Sequence, residues 1–148
     1  MSTDTINIKL VIDEIRHCFN VLKFTADELH SDIGVNASAR AVMETLYPDN
    51  AITVPDIARS KSVSRQHIQV IVNNLSQHGL VNSDNNPKDK RTFLISLSKL
   101  GRCKFEVVLR REKDFMKEIS TKFTEREIAT ASSVINKLTS LLEGVENE

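Results

Sequence analysis

No tryptophan occurs in this chain, tyrosine occurs once, and aromatic residues make up only 5% of its 148 positions, so any core must be mostly aliphatic. No apolar run approaches the roughly 18 residues needed to cross a bilayer. The opening MSTDTINIKL lacks the basic start and apolar stretch of a secretory signal. A cytoplasmic protein with no membrane partner is the expectation. Two cysteines, Cys18 and Cys103, are too few for a disulfide framework and lack metal-ligand spacing, so both are expected as buried structural thiols. His17, His30, His67 and His78 fall on different elements without a His/Cys/carboxylate cluster, and no metal is expected. There is no glycine-rich phosphate loop, no nucleophile motif and no convincing acid/base pair. No catalytic residue and no cofactor are therefore expected, and an enzyme is not.

Excess charge is missing too: 20 basic residues balance 20 acidic ones. Taken alone, neutrality argues against a nucleic-acid partner, but the distribution argues for one. From Thr53 to Arg102 there are eight basic residues (Arg59, Lys61, Arg65, Lys88, Lys90, Arg91, Lys99, Arg102) and three acidic ones (Asp56, Asp84, Asp89). That segment is net +5, and the remainder, with twelve basic and seventeen acidic residues, is net −5. A basic middle between acidic ends is the asymmetry expected where one region meets phosphate.

What is present is helical periodicity. From Ile6 to Leu29, the residues Ile8, Val11, Ile15, Phe19, Leu22, Ala26 and Leu29 recur at three- and four-residue steps, predicting one long amphipathic helix. A short helix is predicted over Ala37 to Tyr47, burying Val42, Met43 and Leu46. Three later helix starts carry capping signals: Thr53 with Asp56, Ser64 stapled by Val63 and Ile68, and Thr124 with Glu127. A long helix is predicted from Lys99 to Lys122. A last one, from Glu125 to about Leu142, is expected to bury Ile128, Ala131, Ile135, Leu138 and Leu142.

In the middle stands TVPDIARSKSVSRQHIQVIVNNL. Two short helices joined by three or four residues must cross steeply. Ala58 permits the close approach, and Ile57, Val63, Ile68 and Ile71 are expected to fill the angle. This is a helix-turn-helix pattern, whose second helix enters a DNA major groove. With Ile68, Ile71, Val72 and Leu75 turned inward, Ser64 opens a face of Arg65, Gln66, Gln69 and Asn73, with His67 at its edge. Arginine can reach guanine O6/N7 with two bonds, and glutamine or asparagine can do the same for adenine N6/N7. Every surface helix has a polar face, but this one lacks the Glu/Lys pairs that merely solubilise, and no acidic residue lies between Asp56 and Asp84.

The next stretch, SDNNPKDKRTFL, has no apolar residue from Ser83 to Thr92. With GLVNS before it and TFLIS after it, it predicts a two-stranded hairpin. Directly after a helix-turn-helix such a hairpin is a wing, bringing Lys88, Lys90 and Arg91 to phosphates or the minor groove. Asp89 would repel phosphate unless it accepts a bond from the Arg91 side chain or the loop backbone, and so aims the arginine.

The run IARSKSVSRQHIQVIVNNLSQHGLVNSDNNPKDKRTFLISLSKLG resembles the MarR/SlyA family of winged helix-turn-helix transcriptional regulators. The resemblance lies in VSRQHIQVIVNNLSQHGLV, in Asp89-x-Arg91 after Pro87, and in SLSKLG; it departs at Asn74, Ser98 and Lys61. It implies a mostly α fold: a winged helix-turn-helix with a small two-stranded antiparallel wing and long N- and C-terminal dimerisation helices. Residues 36–98 would form the DNA-binding domain, and residues 1–35 and 99–148 the dimerisation helices. It further implies that the arginine at position 91 enters the minor groove and that Asp89 orients it. Some family members sense peroxide through a cysteine on the first helix polarised by tyrosine hydroxyls, support that a single Tyr47 hardly supplies for Cys18.

Pairing of two chains is also expected from the terminal helices, whose apolar stripes have few partners within 148 residues. The expected function is a sequence-specific DNA-binding regulator, a homodimeric repressor on a pseudo-palindromic operator in double-stranded DNA. Its effector, by resemblance, is a small aromatic or phenolic anion near Arg16, Phe19, Lys23 and Arg40. The alternative is a winged-helix protein-interaction module that does not read DNA.

Overall fold

The computed structural model describes residues 3–146, and its helices from α2 onward begin where short polar side chains take up free backbone N–H groups. Helix α1 spans Thr3–Leu29 and is followed by a 3-10 turn at Ser31–Ile33. Asn36 starts α2 (Ala37–Leu46) by accepting the Ala39 N–H. Thr53 starts α3 (Val54–Lys61) by accepting the Asp56 N–H, and Ser64 starts α4 (Arg65–Gln77) by accepting the His67 N–H. Such caps each contribute about 1 kcal/mol. The Asp56 carboxylate pairs with Arg59 Nη1. Strands β1 (Val81–Asn85) and β2 (Phe93–Leu97) run antiparallel, with Val81 opposite Leu97 and Asn85 opposite Phe93. Helices α5 (Lys99–Ser120) and α6 (Glu125–Glu146) complete the order.

The chain divides into two units, residues 1–109 and 110–148. In the first, an aliphatic core gathers Val35 with Val42, Met43 and Leu46 of α2, Ile57 of α3, Ile68, Val72 and Leu75 of α4, and Ile95 of β2. Phe105 and Val108 of α5 belong to the same core. Phe105 is its one buried aromatic ring among the described residues, tilted against Tyr47 with centroids 5.2 Å apart. Ile52 adds a bridge on β2 through paired backbone bonds with Ile95, at 2.9 and 2.8 Å.

Two glycines are required by geometry. Gly79 follows α4 at φ +71, where the Gly79 N–H returns to Ser76 O and the Leu80 N–H to Leu75 O, closing the helix and turning the chain into β1. At Gly101 an added Cβ would stand 1.9 Å from Leu80 O. Ser98 explains the rest of that motif: its hydroxyl donates to Gly79 O at 2.6 Å and accepts the Gly101 N–H at 2.9 Å.

Several expectations are corrected. Val63 does not fill the angle between α3 and α4 but is 40% exposed, because Ser62 turns left-handed (φ 55) and swings the chain outward. Ile71 is half-buried and does pack against the core. Cys18 and Cys103 are both exposed, since each lies on a helix face that the single chain leaves uncovered. In α1, Ile8, Phe19 and Leu22 are exposed, in line with a stripe that has few partners within one chain. In the second unit, Ile128, Ala131, Ile135 and Leu142 are exposed and Leu138 is half-buried. An amphipathic stripe needs a facing layer to bury it, and this unit supplies only the end of α5 and α6 itself. Among the described residues, no helix is long and apolar enough to cross a membrane, and no group of His, Cys, Asp and Glu is arranged to hold a metal ion.

Candidate nucleic-acid interface

Helices α3 and α4 meet across Ser62–Ser64, a three-residue turn closed by the Val63 N–H to Ala58 O and the Ser62 N–H to Arg59 O. Ala58 is buried at this crossing, where a larger side chain would push the helices apart. Ile68, Val72 and Leu75 of α4 dock on the core side with Ile71 half-buried beside them, and the opposite side is exposed: Arg65, Gln66, His67, Gln69, Asn73 and the capping Ser64. Two of these are joined, Gln69 Nε2 donating to Asn73 Oδ1 at 2.8 Å. Each amide thereby keeps part of its bonding capacity for a partner outside the protein.

The wing tip is built from nested side-chain turns. Asn86, buried at its neck, accepts the Lys88 N–H through Oδ1 and donates through Nδ2 to Thr92 Oγ1. Thr92 donates in turn to Asp89 O, through both its backbone N–H and its hydroxyl, at 3.1 Å each. Asp89 Oδ1 accepts the Arg91 backbone N–H at 3.0 Å and Arg91 Nε at 3.2 Å. The Arg91 backbone N–H first, and then its guanidinium, hold the Asp89 carboxyl below the usual carboxylate range. The Arg91 side chain remains 91% exposed, so its outer nitrogens face solvent while its direction is set from behind.

The positive charge of this region is more sharply placed than the sequence count suggests. Arg59 is paired with Asp56, and Arg102 with Asp49 and Glu106. Among the described residues of this segment, Lys61, Arg65, Lys88, Lys90 and Lys99 enter no ion pair; the first four lie at the helix-helix turn, the start of α4 and the wing, and Lys99 opens α5. Unpaired cations on these three features form a surface suited to a polyanion.

The residues suggested for an effector stand differently. Arg16, Phe19 and Lys23 are exposed along α1, with Arg16 4.0 Å from Asp13, while Arg40 on α2 pairs with Glu44. Three residues of this surface are not singled out by the sequence pattern. Asn86 and Thr92 close the wing neck, and the signal for it is the Asn–Pro start to a tight polar loop, which favours an Asx turn. Val70 falls about 200° around α4 from the buried Ile68 and is 62% exposed.

The sequence model of the MarR family matches residues 35–93, which hold α2 to α4 and the wing up to the start of β2. The chain is similar to the HTH-type transcriptional repressor MdtR of Bacillus subtilis, 29% identical over 115 residues, 78% of this chain and 74% of that one. Among solved structures it is similar to the MarR family transcription regulator SP03579, with TM-score 0.88 and 20% identity over 98% of this chain and 96% of that one. It is likewise similar to Streptococcus pneumoniae FabT in complex with DNA, with TM-score 0.76 and 18% identity over 93% and 99% of the two chains. The two structural likenesses fix the fold.

Proposed function

We propose that this chain is a non-enzymatic DNA-binding transcription regulator of the MarR type, a reading that the family-model match over residues 35–93 and the likeness to MdtR support, and that it works as a homodimeric, ligand-responsive repressor of a pseudo-palindromic operator. Helix α4 enters the major groove with Ser64, Arg65, Gln66, His67, Gln69 and Asn73 leading. Lys88 and Lys90 attract phosphate, and Arg91, directed by Asp89, enters the flanking minor groove. The exposed apolar residues of α1 and α6, among them Leu10, Phe19, Leu22, Leu141 and Leu142, support a second copy as their cover. Two-fold pairing would set two recognition helices about one DNA turn apart, ~34 Å.

Repression and ligand response are the finer part of the reading. A small aromatic anion held near Arg16, Phe19, Lys23 and Arg40 would alter the spacing of the two recognition helices, so that both no longer fit successive grooves. The relative MdtR is named a repressor, which favours that sign of regulation. A cytoplasmic location goes with this function.

One observation carries the reading: a fully presented arginine held at its Nε by a carboxylate, on the hairpin that follows a helix with an amide-rich outer face. The test is fluorescence anisotropy with duplex DNA selected from a random pool. Affinity is expected to fall with salt at a log–log slope of about −0.9 per phosphate contact. Binding that is negligible at low salt, or indifferent to salt, would instead favour a protein-docking module.

A further inference from the structure

Val70 stands on the part of α4 that points most directly away from the core. Counting about 100° per residue from Ile68, Gln66 and Asn73 lie on either side of it, one turn away along the helix, and Gln69 is its neighbour. The core of this unit uses Ile68, Val72 and Leu75 of the same helix and leaves Val70 in solvent. Nothing local rewards that placement, because a β-branched residue at an exposed helical position is less favourable than Ala, Gln or Lys. A single exposed aliphatic residue is ordinary on a protein surface. This one, however, has the exposed amides Gln66, Asn73 and Asn74 and the exposed His67 one turn away along the helix, with the amide of Gln69 on the adjoining strip of the same outer face.

The amides fix what kind of surface Val70 would meet. Gln69 spends one N–H on Asn73 Oδ1, which leaves its Oε1 acceptor and its second N–H. That acceptor-donor pair is the complement of adenine N6–H and N7 in the major groove. The thymine paired with such an adenine carries the one apolar group of that groove, its C5-methyl. An isopropyl group beside an adenine-reading amide therefore matches an A·T pair in both its polar and its apolar part.

We propose that Val70 is a specificity-determining residue that packs on a thymine 5-methyl in the major groove, beside an adenine read by Gln69, whose amide Asn73 orients. The proposal rests on the DNA-binding mode described above. It assigns to each half-site at least one A·T pair at the centre of the recognition helix, chosen by methyl contact as well as by hydrogen bonds.

The test replaces thymine by deoxyuridine, which pairs identically and lacks only the methyl. A duplex is first selected from a random pool by the full-length protein, and each thymine is then changed singly to deoxyuridine. For the wild type, one thymine per half-site should cost about fourfold in affinity, the value of one buried methyl(ene) group. Val70→Ala should bind the thymine duplex about as weakly as the wild type binds the deoxyuridine one, should be insensitive to that replacement, and should melt at the wild-type temperature. Val70→Thr, which keeps one methyl, should retain part of the sensitivity. A selected duplex that tolerates deoxyuridine at every thymine, or a Val70→Ala variant as sensitive as the wild type, overturns the assignment and leaves DNA binding intact. Failure to enrich any salt-sensitive duplex overturns the DNA reading, and the assignment with it.

Discussion

A single oxygen, Oδ1 of Asp89, receives both the backbone N–H and the Nε of Arg91, at 3.0 and 3.2 Å. The same carboxylate therefore shapes the loop and directs the guanidinium, and neither residue contributes to the hydrophobic core. An ion pair this exposed adds little stability, so its effect lies in orientation.

Arg91→Ala is accordingly expected to weaken DNA binding about tenfold or more, with the melting temperature nearly unchanged. Asp89→Ala should approach the same loss, because a misdirected arginine contacts DNA little better than none. Anisotropy titrations and thermal melts of the two variants check this. A large fall in stability for Arg91→Ala would show a structural role in its place.

The depressed Asp89 carboxyl gives a pH dependence with a definite sign. A group whose folded pKa lies below its unfolded value, about 4, contributes stability above that value and loses it as pH falls through the folded pKa. Wing order is thus expected to be constant from neutral pH down to about 4 and to decline only below it. In a carboxyl-carbon NMR titration, Arg91→Ala should raise the Asp89 midpoint only partway, because the backbone N–H, the larger cause of the shift, remains. A wild-type midpoint at the ordinary carboxylate value would contradict the geometry.

Asn86 makes two bonds across the wing neck, to the Lys88 N–H and to Thr92 Oγ1. Asn86→Ala should cost about 1–2 kcal/mol, and denaturant melts measure it. Hydrogen exchange should show lost protection at Asp89 and Thr92, whose N–H groups close the same turns.

Gly101 and Gly144 form a matched pair of substitutions. A Cβ at Gly101 meets the Leu80 carbonyl at 1.9 Å, and a backbone oxygen cannot swing away, so Gly101→Ala should destabilise by about 1–3 kcal/mol or more. At Gly144, inside α6, an added Cβ meets nothing within 4 Å, and Gly144→Ala should stabilise by about 0.5–1 kcal/mol. Chemical denaturation separates the two by sign.

If the terminal helices pair between copies, Leu141→Glu with Leu142→Glu should shift the protein to monomer in sedimentation. DNA affinity should fall with it, although both residues lie outside the winged unit. A dimer that survives both charges would place the interface elsewhere.

Much of this was legible in the chain alone, for reasons of range. Caps at Thr53, Ser64 and Thr124 and the Asx-type turn at Asp89 act over two or three residues, so the sequence by itself determined them. The periodicity of α4 likewise marked which side of it faces inward. Other features depend on what chain segments far apart in sequence bring against one another, and only the tertiary structure decided these. The Ile52–Ile95 bridge and the Gly101–Leu80 approach join separate elements. The outward swing of Val63 follows from a left-handed serine that no propensity favours. Solvent exposure is decided the same way: α6 reads as a buried stripe, because periodicity reports that a helix has an apolar face and cannot report which layer covers it.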